Sequence, residues 1–350
     1  MTTPAVFALS AHATYQCRRS GACCTAGWGI PVEAHLQPTL GITWLIPDAD
    51  GSCPEYDRPS GLCRIHRAHG EAMLPESCYH FPRRARIDDR GIAVSLSLYC
   101  PTAATMLLDA HDPLDIVRNP DAFPASRGYD GLDASGDWPP LLRPDALFDL
   151  DSFAAWERYV VRTLADSRDT VASTLARIAD TAERLRAWTA ESASLPEWTS
   201  HVLADTRHVV PDADARFAPF SEPAAYARVC ALVPSGLDAP SQPADAHDVW
   251  QTLVEPDWPR WQSLALRYLA ATAFASWTAY QCRGVRAHVA ELYLAAAVLR
   301  AECVRRCAST GAPLDRDGLL EAVRMSDLLL VHLVDRDALM DWLREVDVDA

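Results

Sequence analysis

The sequence predicts a mainly α fold: a helical body carrying an N-terminal, loop-rich segment of clustered cysteines and one small β-hairpin. Three observations point there. Apolar residues recur at spacings of three and four through much of 151–350. Of the 11 cysteines, Cys17, Cys23, Cys24, Cys53, Cys63, Cys78 and Cys100 fall within the first 100 residues. Between these regions only 86–98 alternates as paired strands do. The chain therefore divides into a cysteine-cluster, metal-binding segment (1–105), a Pro-rich connection (106–150) and an α-helical domain (151–350).

The first segment opens with Tyr15 to Gly29, YQCRRSGACCTAGWG, which places three thiols in one loop. The 350-residue chain can bury a core without cross-links, so the thiols are not needed as staples. No secretory signal is evident in MTTPAVFALSAHATYQC, and the protein is expected to be cytoplasmic. In a reducing compartment clustered thiols act as metal or redox groups rather than disulfides. Soft sulfur selects zinc or iron–sulfur clusters. The spacings match neither the paired C-x2-4-C knuckles of zinc fingers nor the compact ferredoxin run. On an extended chain neighbouring side chains alternate faces, so Cys23 and Cys24 are expected to point apart. Ser52, Pro54, Pro59, Gly61 and Pro75 mark loops, and Ile65 to Leu74 offers one short helix.

In the hairpin, Asp89-Arg90-Gly91 supplies the turn, and Ile92, Val94, Leu96 and Leu98 alternate with small residues. Its second strand returns Cys100 toward the cluster. Seven prolines between Pro101 and Pro144 read as a long irregular connection. Asp151 or Ser152 then caps one helical stretch over 153–188. Pro-rich, acidic segments with short helices, as around Ala224 to Leu232, fill 191–256. A strongly apolar helix follows from Trp258 to Cys282, broken at Arg283-Gly284, then helices over Val285 to Ala308 and Leu319 to Val346, the last interrupted near Asp335. The aromatic run Trp258, Trp261, Tyr268, Phe274, Trp277 and Tyr280 is read as core.

The net charge of −15 lies beyond residue 100, since 1–100 holds nine Asp/Glu and nine Arg. An acidic chain lacks the basic face that displaces counterions, so no nucleic acid is expected as a partner. The longest apolar stretch, Leu264 to Trp277, is interrupted by Arg267 and is shorter than the ~20 residues of a membrane span, so no membrane is expected. All 32 basic residues are Arg, which coding bias explains and which also leaves no lysine in the chain.

Six motifs occur in order: Cys-Cys-x-x-Gly-Trp (Cys23 to Trp28), Cys53-Pro54, Leu-Cys-x-Ile (Leu62 to Ile65), Gly-Glu-x-x-Leu (Gly70 to Leu74), Cys-x-x-x-Pro-Arg (Cys78 to Arg83) and Ser-Leu-Ser-Leu-x-Cys-Pro (Ser95 to Pro101). Together they resemble the flagellin lysine N-methylase (FliB-type) family, related to the YkgJ-type group of zinc- or iron-chelating cysteine-cluster proteins. The resemblance implies an iron–sulfur-dependent methyl transfer from S-adenosylmethionine to lysines of flagellin or a comparable surface protein. It maps the cluster cysteines onto Cys17, Cys23, Cys24, Cys53, Cys63, Cys78 and Cys100, a 4Fe–4S cluster being the implied group and zinc the alternative. The chelating group commonly has a further cysteine where this chain has Ser20.

No glycine-rich loop after a strand and no run of βα units is present, so an ordinary Rossmann methyltransferase is unsupported. The Cys-x3-Cys-x2-Cys radical signature is absent as well. Lysine must be neutral to accept a methyl group, and His66, Tyr79, His80 and Arg83, with Arg84 and Arg86, are the groups near the cluster that could lower its pKa or take its proton. Each has a plainer role: His66 facing solvent, Tyr79 and His80 shaping the surroundings of Cys78, the arginines forming a solvated patch, Trp28 packing. The competing function is a non-enzymatic zinc- or iron-chelating protein with a redox or structural role.

Overall fold

The computed structural model describes residues 4–120, 123, 128–136, 139–205, 213–221, 223–281 and 284–347, and helices dominate it. The expected hairpin is present and forms the middle of a five-stranded mixed sheet. The strands are β1 (Val6–Leu9), β2 (Arg83–Asp88), β3 (Gly91–Leu96), β4 (Ile116–Arg118) and β5 (Gly131–Asp133), in the order β4-β1-β3-β2-β5. β2 and β3 pair from Arg83↔Leu96 to Asp88↔Gly91, and Asp88 accepts the Arg90 N–H at 3.0 Å to close the turn. Gly91 (φ +135°) is required where β1 crosses, because a Cβ there would lie 2.2 Å from the Ala5 carbonyl oxygen. The outer strands β4 and β5 come from the stretch read as an irregular connection. At three residues each they are too short to show alternation, and they form because β1 and β2 offer edges to pair with.

The same stretch contains helix α1 (Pro101–Asp109), with Pro101 in its first turn and Ala103, Ala104 and Leu107 fully buried. The single helix expected over 153–188 is two helices. α2 (Leu150–Ala165) is capped by Asp149, not by Asp151 or Ser152: its carboxylate accepts the Ser152 N–H at 2.9 Å. α3 (Val171–Arg186) starts anew at Thr170, whose hydroxyl accepts the Ser173 N–H at 3.1 Å. α4 (Leu195–Ala204) carries a Ser194/Glu197 capping box, and α5 (Pro223–Ala231) falls where a short helix was expected.

α6 (Trp258–Ala273) stops well before Cys282, which lies outside the described residues together with Arg283. Its stop is a backbone reversal at Ala275 (φ +55°), whose N–H is held by Glu157 at 3.0 Å. Trp261, Tyr268 and Phe274 are core residues, and Trp258, Trp277 and Tyr280 are half-buried. The 26-residue α7 (Val285–Thr310) runs through the middle and is buried on most sides. Three of its buried polar side chains reach partners: Arg286 with Glu183 at 2.7 Å, His288 accepting from Trp156 at 3.3 Å, Glu302 accepting from Tyr226 at 2.7 Å. α8 (Arg316–Asp327) runs into a π-helical turn, Leu328–Leu333, and Asp335 caps α9 (Arg336–Arg344).

Two cores result. The large one takes residues from the sheet, α1 and the helices. The small one, Val32, Leu36, Leu45 and Ile65 with Cys53 and Cys63 against it, belongs to the cysteine loops. Among the described residues no helix is long and apolar enough to cross a membrane.

The arginine run of β2 is not a solvated patch. Arg84, Arg86 and Asp88 share the face turned to the helices, and Arg86 is 1% exposed. Its guanidinium grips Glu157 of α2 through Nη1 (2.8 Å) and Nη2 (3.2 Å). Asp88 accepts from Tyr280 at 2.8 Å and lies 3.6 Å from Arg86 Nε.

Candidate functional site

Local backbone structure gathers five of the seven N-terminal thiols. Gly21, with φ +74°, admits the Tyr56 ring where a Cβ would meet its hydroxyl at 2.4 Å. The chain then winds into one 3-10 turn, Ala22–Cys24, closed by Cys24 N–H to Gly21 O at 2.9 Å. In a turn, unlike a strand, neighbouring side chains need not oppose, and the Cys23 and Cys24 sulfurs lie 3.9 Å apart, against the expectation that they diverge. Cys53 N–H donates to Cys24 O at 2.7 Å, and the ribbon Tyr56–Asp57/Leu62–Cys63 sets Cys63 opposite Tyr56. Cys78 comes from the short helix Glu76–His80.

Charge on neighbouring thiols bears on Cys24, Cys53 and Cys78. The hydrogen bond from Cys24 holds the Cys23 thiol below its ordinary range against the opposing effect of burial. The same bond, then burial, then charge on Cys23, Cys53 and Cys63 drives Cys24 far up. Burial raises Cys53, with Cys63 and Cys23 adding to it. Burial together with Cys23, Cys53 and Cys63 pushes Cys78 up to about 12. The set is all sulfur and self-repelling. Among the described residues, however, no three His, Cys, Asp or Glu side chains converge tightly enough to hold a metal ion. The thiols gather without closing on one point.

Cys17 and Cys100 form a second group around Tyr15. Cys100 caps α1, buried, with its sulfur 3.7 Å from the Tyr15 hydroxyl, and Cys17 is exposed. Arg83 belongs to this group, its guanidinium 5.8 Å from the Tyr15 ring centre and 5.9 Å from that of Phe123. His66 is exposed on the helix Arg64–His69. Tyr79 is half-buried and meets His80 edge-on at 5.0 Å, while His80, buried, bonds Glu76 at 3.0 Å. The candidate bases therefore do not meet at one place: His80 sits two residues from Cys78, and Arg83 stands by the other pair.

Trp28 reaches away from the loops into the helical body. Its ring centre lies 4.9 Å from that of His332, 5.6 Å from Tyr99 and 5.8 Å from Phe81. Behind it Ser97 gives its only proton to Asp327 (2.5 Å), so the His332 Nε2–H, 2.8 Å away, donates to Ser97. Tyr99 N–H also donates to Asp327 at 3.0 Å. Burial lowers the His332 pKa to about 4, which keeps the ring neutral. No sequence signal marked His332 or Asp327, because each is more than 225 residues from the motif it serves.

Comparison with known proteins gives one consistent, partial likeness. Over 69 residues the chain is 33% identical to the flagellar biosynthetic protein FliU of Salmonella muenchen, and equally so to the lysine-N-methylases of Salmonella typhimurium and Salmonella choleraesuis. That match is 20% of this chain, 40% of the first relative and 17% of each lysine-N-methylase, so the chain spans well under half the length of the curated relatives it matches. No protein-family model matches the chain, and no solved structure matches it. The likeness is to methyltransferase and flagellar proteins, and it agrees in direction with the motif resemblance.

Proposed function

We propose that the chain is a protein-lysine N-methyltransferase of the cytoplasm that uses S-adenosylmethionine, carries an iron–sulfur cluster on its N-terminal thiols, and acts on flagellin or a similar lysine-bearing surface protein. The observation that carries the reading is the gathering of Cys23, Cys24, Cys53, Cys63 and Cys78 from four separate stretches of backbone. It is supported by the partial likeness to lysine-N-methylases.

The donor set fits the group in its chemistry. Five soft sulfurs whose charges repel one another are stabilised by a positive centre. A polynuclear cluster seats its thiolates on different irons, which suits thiols that gather without meeting at one point better than a single zinc ion does. Up to four of Cys23, Cys24, Cys53, Cys63 and Cys78 would hold a 4Fe–4S cluster, whose iron would supply Lewis acidity toward the methyl donor.

The transfer itself balances simply. The lone pair of a neutral lysine amine attacks the sulfonium methyl, the C–S bond breaks as the C–N bond forms, and the ammonium product gives up one proton. We assign that proton to His80, which bonds Glu76 and lies two residues from Cys78. The chain offers no lysine of its own as a competing acceptor, and its acidic body attracts a lysine-bearing partner.

The test is anaerobic purification followed by absorption spectroscopy, metal analysis and mass spectrometry of flagellin incubated with the protein and S-adenosylmethionine. The expected result is an iron–sulfur chromophore and methylated lysines. Colourless protein with stoichiometric zinc and unmodified lysines would establish the chelating, non-enzymatic reading instead.

A further inference from the structure

Between the sheet and the helices lies a recess of about 50 Å³, room for a few water-sized groups. It is lined by Arg84 and Ser95 of the hairpin, Thr272, Ala275 and Ser276, Glu291 of α7, Asp327 of α8 and Arg336 of α9. The remaining walls are aliphatic and aromatic, including Leu96, Leu98, Phe274 and Leu294.

The two guanidiniums have donors to spare. The Arg84 guanidinium stacks on Trp277 at 4.9 Å and, among the described residues, makes no hydrogen bond and no ion pair. Arg336 reaches Glu291 only at 3.8 Å and Thr278 at 3.5 Å, and its Nε is buried without a partner. The acids do not answer that surplus. Asp327 is committed to Ser97 and Tyr99, and Glu291 accepts from Ser276 at 2.6 Å. A buried donor left unpaired costs roughly 1–3 kcal/mol, so Arg336 Nε favours the entry of an acceptor into the recess. Desolvation, with Arg336 beside it, lowers the Arg84 pKa to about 10 in spite of Asp327 and Glu291, as two like charges lining one recess require. Ala275, held at φ +55° in the wall, stores strain at the same place.

We infer that this recess binds a small carboxylate, its oxygens taken by Arg84 and Arg336 and its carbon stem lying on the apolar wall. A planar two-oxygen anion matches the guanidinium fork, and the volume excludes a nucleotide phosphate chain. The carboxylate belongs either to a free small acid or to the amino-acid end of a larger molecule. The inference does not rest on the methyl-transfer reading, since it stands on arginines and a cavity that the thiol group does not include.

The test is isothermal titration of the full chain with propionate, L-methionine, S-adenosylmethionine and sodium chloride, repeated on Arg84→Met and Arg336→Met. Circular dichroism and a urea midpoint establish that the variants fold, and Arg84→Lys serves as a milder second variant. Saturable binding of at least one carboxylate, weakened tenfold or more by either Met variant, is the expected result. Propionate binding alone would assign a free acid, and methionine or S-adenosylmethionine binding without propionate an amino-acid end. No saturable binding of any carboxylate, binding matched by chloride, or binding indifferent to all three variants would overturn the inference. Methylation failing while carboxylate binding persists would sink the enzymatic reading and leave this one standing.

Discussion

The buried pair Arg86–Glu157 offers the sharpest perturbation of the fold. Glu157 accepts two hydrogen bonds from Arg86, at 2.8 and 3.2 Å, and one from Ala275 N–H at 3.0 Å, with only 4% of its surface exposed. Burial pushes its carboxyl up, but Arg86, Arg90 and the Ala275 N–H outweigh burial and hold it below its ordinary value. The pair's stabilisation is therefore present above the ordinary carboxylate pKa and lost as pH falls through the lowered one. Glu157→Gln keeps the shape and removes the charge, leaving Arg86 buried and only partly answered by Asp88 at 3.6 Å. The expected cost is roughly 3–5 kcal/mol. With a urea slope of ~3 kcal/mol/M this lowers the midpoint by about 1–1.7 M, read by tryptophan fluorescence. Replacing both partners, Arg86→Met with Glu157→Leu, removes the orphaned charge and leaves the Ala275 N–H and the Ser276 carbonyl without these partners, for about 1–3 kcal/mol. If Glu157→Gln costs under ~1 kcal/mol, or the double variant is no more stable than the single, the reasoning fails.

Three further outcomes are expected. Gly21→Ala places a Cβ against the Tyr56 hydroxyl at positive φ, and should cost about 1–3 kcal/mol while speeding modification of Cys23 and Cys24 by a thiol reagent; unchanged rates would refute the role given to this turn. His12 and His332, each lowered from 6.5 to about 4 by burial, bind protons on unfolding, so stability should decline between pH 6.5 and 4 by up to ~1.4 kcal/mol per pH unit for each. A His12→Gln variant with an equally steep decline over that range would contradict this for His12. In native protein, limited alkylation followed by peptide mapping should find Cys17, exposed, modified first and Cys303, fully buried with its thiol raised by desolvation, last; the reverse order would refute the placement.

The long elements were legible because helical periodicity survives over three or more turns, and the hairpin because Asp89-Arg90-Gly91 sits between alternating strands. Caps and stops were not. Asp149 competes with two equally good caps a few residues on, and the end of α6 at Ala275 depends on Glu157, 118 residues away. The strands β4 and β5 exist only because the hairpin and β1 offer them edges. At the site, cysteine counting found every thiol but not the division into five and two. That division comes from Gly21 and from the Cys53–Cys24 backbone bond, and no thiol spacing encodes either. The arginine run looked like surface because charge in sequence says nothing about which face of a strand meets a helix.

The serine of the Ser-Leu-Ser-Leu motif links the two halves of the molecule. Ser97 holds both Asp327 and His332, His332 stacks beside Trp28 from the thiol loop, and Asp327 lines the recess that Arg84 and Arg336 furnish. A Ser97→Ala change would remove one acceptor from His332 and one donor from Asp327 without touching a thiol. Asp327 would then be free to turn on Arg84, the guanidinium with unused donors, and neutralise it. Carboxylate binding should weaken severalfold while the alkylation rates of Cys23 and Cys24 stay as they were. Changed alkylation rates in that variant, with carboxylate binding intact, would show that the serine serves the thiol loop alone.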